Sequence, residues 1–328
     1  MQLVLITIKS NLETVKLKKM KNFRMWSARL SKYATVISIG CSGYFLGTYY
    51  ERSKQISTES RYLRSPAIFS NVFAATPLTP ATLGSNNANR ISEIMKYGFP
   101  GLDNIRSFDN FILSYDRKTR VAHWVFEHLT KENMKFNEGV DRALCEFQAD
   151  KSIHHYFRSE NTDYKGSGYD RGHLAAAGNH KASQKYVEQT FLLSNMAPQV
   201  GVGFNRHSWN RLEKYVRKKA KVNNNVYCCT GPLYLPRKES DGKKYVKYEV
   251  IGANNVAVPT HFFKVILFET TNGILELEAY VMPNQAIDDA IPLASFQVPP
   301  DSIERAAGLL FFDNIGKTKI SRINGKNI

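Results

Sequence analysis

The sequence predicts an α+β fold with a mostly antiparallel central sheet flanked by helices. Two observations carry that expectation. Strand-like runs follow one another across short polar turns, as hairpins do, and few helical stretches separate them, which argues against a parallel sheet. The chain is also large enough to bury a sizeable core, with 328 residues that are 43% hydrophobic and 12% aromatic.

Residues 1–32 hold Lys9, Lys16, Lys18, Lys19, Lys21, Arg24, Arg29 and Lys32 against the single acid Glu13. An uncharged stretch follows from Tyr33 to Tyr50, diluted by Gly40, Gly43 and Gly47. Basic, acid-poor leaders of this kind resemble mitochondrial presequences. The apolar stretch is barely long enough to cross a bilayer. Residues 1–50 are therefore expected to form a mitochondrial targeting leader with an apolar sorting segment that contacts the inner membrane. A secretory signal and a permanent anchor are the competing readings. Residues 51–89 show no hydrophobic period and are rich in Ser, Thr, Asn, Pro and Ala from Ser65 onward, so they read as a linker. The folded domain is expected over residues 90–328.

Within that domain, Phe111–Tyr115 and Val121–Phe126 read as a strand pair around the turn Asp116–Thr119. Further strands are expected at Asn225–Thr230, Val246–Ile251, Thr260–Phe268 and Leu275–Val281. Helices are expected at Ser183–Thr190, Asn205–Val222 and Ile303–Leu309. In the second of these, Trp209, Leu212 and Val216 follow the spacing of a buried stripe.

The net charge of +16 points to a polyanionic partner, but its distribution matters more than its size. Residues 1–64 carry twelve Lys/Arg against three Asp/Glu, leaving only +7 for the remainder. Nearly all of that lies on the helix Arg206–Lys221, where seven basic residues oppose Glu213 alone. Contacts of this type grip phosphate without reading sequence. The four cysteines, Cys41, Cys145, Cys228 and Cys229, show neither C-x-x-C nor zinc spacing and read as reduced packing residues. The loop Arg237–Lys244 reads as a charged hairpin connection and His180 as a structural histidine.

The chemistry concentrates in Asp170-Arg171-Gly172-His173. An imidazole titrates near neutrality and can take a proton from water. A guanidinium suits bidentate phosphate contact. In an extended segment, Arg171 and His173 point to the same side, and Gly172 lets backbone approach closely. Asp170 is positioned to orient a neighbour. A second cluster runs from Ser194 to Glu213. Asn205 and Glu213 lie about 80° apart around a helix. Mg²⁺ keeps most of its waters and often takes one or two protein oxygens, which an Asn carbonyl with a nearby carboxylate supplies. A helix N-cap is the bland alternative for Asn205.

Asp170-Arg-Gly-His173, Asn195-x-x-Pro-Gln199, Asn205 and the Trp209-x-x-Leu-Glu213 helix together resemble the DNA/RNA non-specific endonucleases, which carry a ββα-metal (His-Me finger) site. Gly166–His180, Tyr227–Pro236 and Ala257–Lys264 are similar to the mitochondrial branch of that family. The resemblance spans residues 88–320. It implies that His173 is the general base, that Asn205 is the direct Mg²⁺ ligand (Mn²⁺ being an alternative), and that Glu213 lies near the metal's water shell. It implies that Asn195 and Arg171 support the scissile phosphate and that Arg142 is a further transition-state arginine. It also implies cleavage of DNA and RNA to 5′-phosphate and 3′-hydroxyl ends, a homodimer, storage in the intermembrane space, and DNA degradation in the nucleus during cell death. Two alternatives stand beside this. One is a related mitochondrial 5′-exonuclease of the same fold, in which Ser commonly replaces Asp170. The other is a catalytically inactive nucleic-acid-binding homologue.

Overall fold

The computed structural model describes residues 85–316 and 319–328. The expected targeting leader and sorting segment, and Cys41, lie outside the described residues. Along the chain run α1 (Ser85–Ile94), β1 (Ile105–Ser107), β2 (Phe111–Asp116), β3 (Val121–Leu129), α2 (Asn161–Tyr164), β4 (Tyr169–His173), α3 (Gln184–Thr190) and β5 (Met196–Val200). Then come α4 (Asn210–Ala220), β6 (Asn225–Leu233), β7 (Arg237–Lys238), β8 (Lys244–Tyr245), β9 (Val250–Ile251), β10 (Val256–Ala257), β11 (His261–Glu269) and β12 (Leu275–Pro283). The chain closes with α5 (Pro300–Ala307), β13 (Ile320–Ile323) and β14 (Lys326–Asn327). Among the described residues, no helix is long and apolar enough to cross a membrane.

The α+β expectation holds. Eight strands form one sheet in the order β1-β2-β3-β6-β11-β12-β13-β14, antiparallel throughout except where β12 meets β13. Side chains alternate between its faces, so the sheet has two cores. One face packs against Leu212 and Val216 of α4 and against Trp209 just before it. The other is covered by Ile91 and Ile94 of α1 and Ile303 of α5. Cys228 faces the first core and Cys229 the second, and both are buried and free, as their adjacency on a strand requires.

Three boundaries differ from expectation. Helix α1 begins at Ser85, inside the stretch read as linker, because Ile91 and Ile94 close one face of the sheet. Helix α5 spans Pro300–Ala307 and not Ile303–Leu309. Pro300 suits the first turn, and Gly308 ends the helix in the left-handed region at φ 68. The predicted strand Val246–Ile251 is paired only at Val250–Ile251, where β9 meets β10. Residues 241–250 are exposed throughout, so the alternating pattern there has no core to face.

Candidate active site

The site is built on a small hairpin outside the main sheet. Strands β4 and β5 pair with Arg171 opposite Pro198 and His173 opposite Met196. Arg171 and His173 accordingly face one side together, and both line a cleft of about 1050 Å³. Gly172 is required there for a local reason. A Cβ at this position would lie 2.1 Å from Cδ of Gln199, which is wholly buried across the backbone.

The His173 ring is wedged against Phe147 and Phe191, with ring centroids 5.7 and 4.8 Å away. Its Nε2 is buried without a hydrogen-bond partner, while the residue lines the cleft. Burial, then the nearby Arg142 and His180, pushes its pKa down to about 3. The ring is therefore neutral at physiological pH, the form a general base needs. The negative charge of an incoming phosphate acts in the opposite sense and makes it a stronger base.

Asn205 follows a sharp bend at Gly203, whose φ of 83 and close approach to Ala286 both exclude a side chain. Wide helical turns then lead into α4. Asn205 does not cap the helix. Its Nδ2 donates to Oδ2 of Asp170 at 2.9 Å, and Arg206 clamps the same carboxylate with contacts of 2.6 and 2.8 Å. The hydrogen bonds from Arg206 and then Asn205 hold Asp170 below the usual carboxylate range, so it stays ionised. With the amide nitrogen committed, Asn205 has its carbonyl oxygen left for the cleft. Among the described residues, no three His, Cys, Asp or Glu side chains converge as a metal cage. The donor set instead fits a hard, hydrated cation such as Mg²⁺ taking one oriented carbonyl.

Glu213 enters the same cleft from α4. Burial raises its pKa, while Lys264, Arg217 and Arg142 oppose that rise. Arg171 lies over the Phe147 ring at 4.2 Å and donates to Oδ1 of Asn161 at 2.7 Å, which fixes its guanidinium at the cleft wall. Arg142 also lines the cleft, 5.7 Å over the Phe191 ring.

Asn195 must be reassigned. It is completely buried and does not line the cleft. Its Oδ1 accepts from the backbone of Ala175, and its Nδ2 donates to the carbonyls of Ala175 and Thr190. With its amide so engaged, it pins the segment leaving His173 and has nothing to offer a phosphate. Sequence reasoning also missed three contributors. Arg217 lines the cleft one turn beyond Glu213, a spacing visible in the sequence but read only as charge. Arg206 clamps Asp170, and Phe147 supports both Arg171 and His173. Nothing in the sequence marked Phe147. His180 is structural, as expected, donating to the buried Glu127 at 2.9 Å.

Comparisons with known proteins give the family and the fold. Residues 90–318 match the DNA/RNA non-specific endonuclease family. The chain is 56% identical to mitochondrial endonuclease G of Caenorhabditis elegans over 273 residues, covering 79% of this chain and 89% of that protein. It is 56% identical to the human mitochondrial endonuclease G over 223 residues, covering 68% and 74%. Its fold matches a crystal structure of an EndoG/EndoGI complex with a TM-score of 0.72 and 63% identity, over 73% of this chain and 97% of that one. The chain belongs to the DNA/RNA non-specific endonuclease family and is an endonuclease of the mitochondrial endonuclease G type.

Proposed function

We propose that this endonuclease hydrolyses both DNA and RNA without sequence preference, with Mg²⁺ as its resident cation, leaving 5′-phosphate and 3′-hydroxyl ends. The observation that carries this is the meeting of His173 and the Asp170-oriented Asn205 in one cleft lined by Arg142, Arg171 and Arg217. His173 takes the proton of the attacking water. Arg171 and Arg142 bear on the phosphate oxygens, where negative charge grows in the transition state. The carbonyl oxygen of Asn205 would hold the cation, with Glu213 beside it in the cleft; a Mg²⁺ bound there would supply charge neutralisation at the phosphate. The arginines and lysines that line the cleft suit the phosphate backbone, whose contacts carry no sequence information.

The mitochondrial names of the relatives support residence in the mitochondrion. We assign residues 1–50 to import, 51–89 to a linker whose last turn joins α1, and the remainder to the nuclease. The protein resides in the intermembrane space as a homodimer, its leader against the inner membrane, and degrades nuclear DNA after release in cell death. Purified protein is expected to nick plasmid and degrade RNA with Mg²⁺ or Mn²⁺, and to stop on chelation. Full activity in His173→Ala refutes the mechanism. Cleavage that requires a free 5′ end favours the exonuclease reading, and a fluorescent fusion of residues 1–64 that stays out of mitochondria refutes the leader assignment.

A further inference from the structure

Behind the cleft wall, side chains from β3, the turn Ala177–Asn179 and α4 form one chain of hydrogen bonds. Glu127 lies on β3 between Val125 and Leu129, which face the first core, and is wholly buried. Its Oε1 accepts from Nδ2 of Asn179 and meets Nε2 of His180, both at 2.9 Å. Asn179 is also buried, and its Oδ1 accepts from Nη1 of Arg217 at 3.1 Å. Arg217 lines the cleft beside Glu213, with a loose contact of 3.9 Å between them. Gly178 leaves the space for that guanidinium, since a Cβ there would stand 3.0 Å from the same Nη1.

We propose that Asn179, anchored by Glu127, is a positioning residue that holds Arg217 in the orientation needed to meet the substrate's phosphate. The proposal rests on the reading of the cleft as a phosphodiesterase site. An amide has one donating end and one accepting end. The Glu127 oxygen fills the first, and a guanidinium, which only donates, claims the second, so the amide cannot turn over. Arg217 is thereby fixed before substrate arrives, and an arginine fixed in advance loses less freedom when it binds. The neutral carbonyl matters as well. A carboxylate at position 179 would grip the guanidinium more strongly but would compete with phosphate for its charge. A carbonyl oxygen holds the group and leaves that charge for the transition state. His180 already ties Glu127 to the segment after β4, so a staple for the fold alone does not need the bond from Asn179 to Arg217.

The test is a double-mutant cycle on supercoiled plasmid with Mg²⁺, run well below each variant's measured Tm. Asn179→Leu keeps the volume and loses both polar ends. It is expected to lower kcat about 10–100-fold. KM should change little, because the charge of Arg217 stays in the cleft while its orientation is lost. In an Arg217→Ala background the same substitution is expected to change kcat by less than about twofold, because the group it positions is gone. Glu127→Gln still offers Asn179 an oxygen and is expected to retain most of the activity. If Asn179→Leu does not fold, the smaller Asn179→Ser carries the cycle. Equal losses in both backgrounds overturn the proposal and make Asn179 a residue of the fold alone. Wild-type kcat in Asn179→Leu, or in Arg217→Ala, overturns it too. None of these results bears on His173, whose own substitution tests the reading of the cleft.

Discussion

Gly172→Ala tests how tightly the His173 strand is positioned. The added methyl would fall 2.1 Å from Cδ and Oε1 of Gln199, about 1.3 Å short of the ordinary contact of 3.4 Å. Gln199 has no easy escape, being wholly buried with both amide atoms unpartnered. Overpacking of this kind costs about 1–3 kcal/mol. For a domain of this size that is a fall in Tm of roughly 2–10 °C. Strain relieved by moving β4 displaces His173 and Arg171, and a misplacement near 1 Å costs on the order of 100-fold in rate. The assay is kcat/KM on supercoiled plasmid beside a thermal melt. Gly172→Ala with Gln199→Ala removes the clash and leaves a cavity, so activity recovers while Tm stays low. Wild-type kcat/KM in the single variant, or no recovery in the double, refutes the argument.

Asp170→Asn removes the charge that Arg206 clamps and loosens the amide of Asn205. The Mg²⁺ concentration for half-maximal cleavage is expected to rise about 10–100-fold, and an unchanged Mg²⁺ titration contradicts that role. Asn195→Ala strands the buried polar groups at Ala175 and Thr190 and is expected to cost about 2–5 kcal/mol of stability. In the cold its folded fraction should still cleave, unlike His173→Ala. A stable but inactive Asn195→Ala returns that residue to the phosphate. Burial depresses His128 to about 4, with Asn225 opposing and Arg90 reinforcing the shift. Because the unfolded chain binds that proton more readily, its contribution is complete above pH 6.5 and is lost as pH falls toward 4. The full loss is about 3 kcal/mol, with about 2 kcal/mol gone by pH 5. Urea titrations should show a flatter pH dependence in His128→Gln, and parallel slopes reject the assignment.

Most of the fold was legible because its strands are long, apolar and joined by short turns. Phe111–Asp116, Val121–Leu129 and His261–Glu269 each have neighbours in the sheet, so local pattern and tertiary demand agree. The stretch 246–251 has the same local pattern, yet it pairs as a strand only at Val250–Ile251, with β10. Alternation records that a strand would be amphipathic there, and pairing depends on a strand edge lying alongside. The short pieces β13 and β14 were illegible for the opposite reason. Their residues lack a convincing pattern, and the edge of β12 recruits Ile320–Ile323 across a long connection.

The site separates what a motif encodes from what it leaves open. Asn195 and Asn205 are the same residue type in one cluster, and the family resemblance gave both a part in the site. Their difference lies in where the amide is satisfied. Asn195 has both ends bound to backbone in the core, whereas Asn205 has only its nitrogen bound, and that by a carboxylate which Arg206 keeps ionised. The role of Asp170 follows from this. An acid beside a general base suggests proton traffic with the imidazole, yet among the described residues the Asp170 carboxylate accepts from the side chains of Asn205 and Arg206 alone. Its charge selects which end of an amide faces the cleft. A serine there also accepts a hydrogen bond, but it holds no arginine clamp, so the orientation of Asn205 would rest on one neutral contact where this chain uses an ionised one.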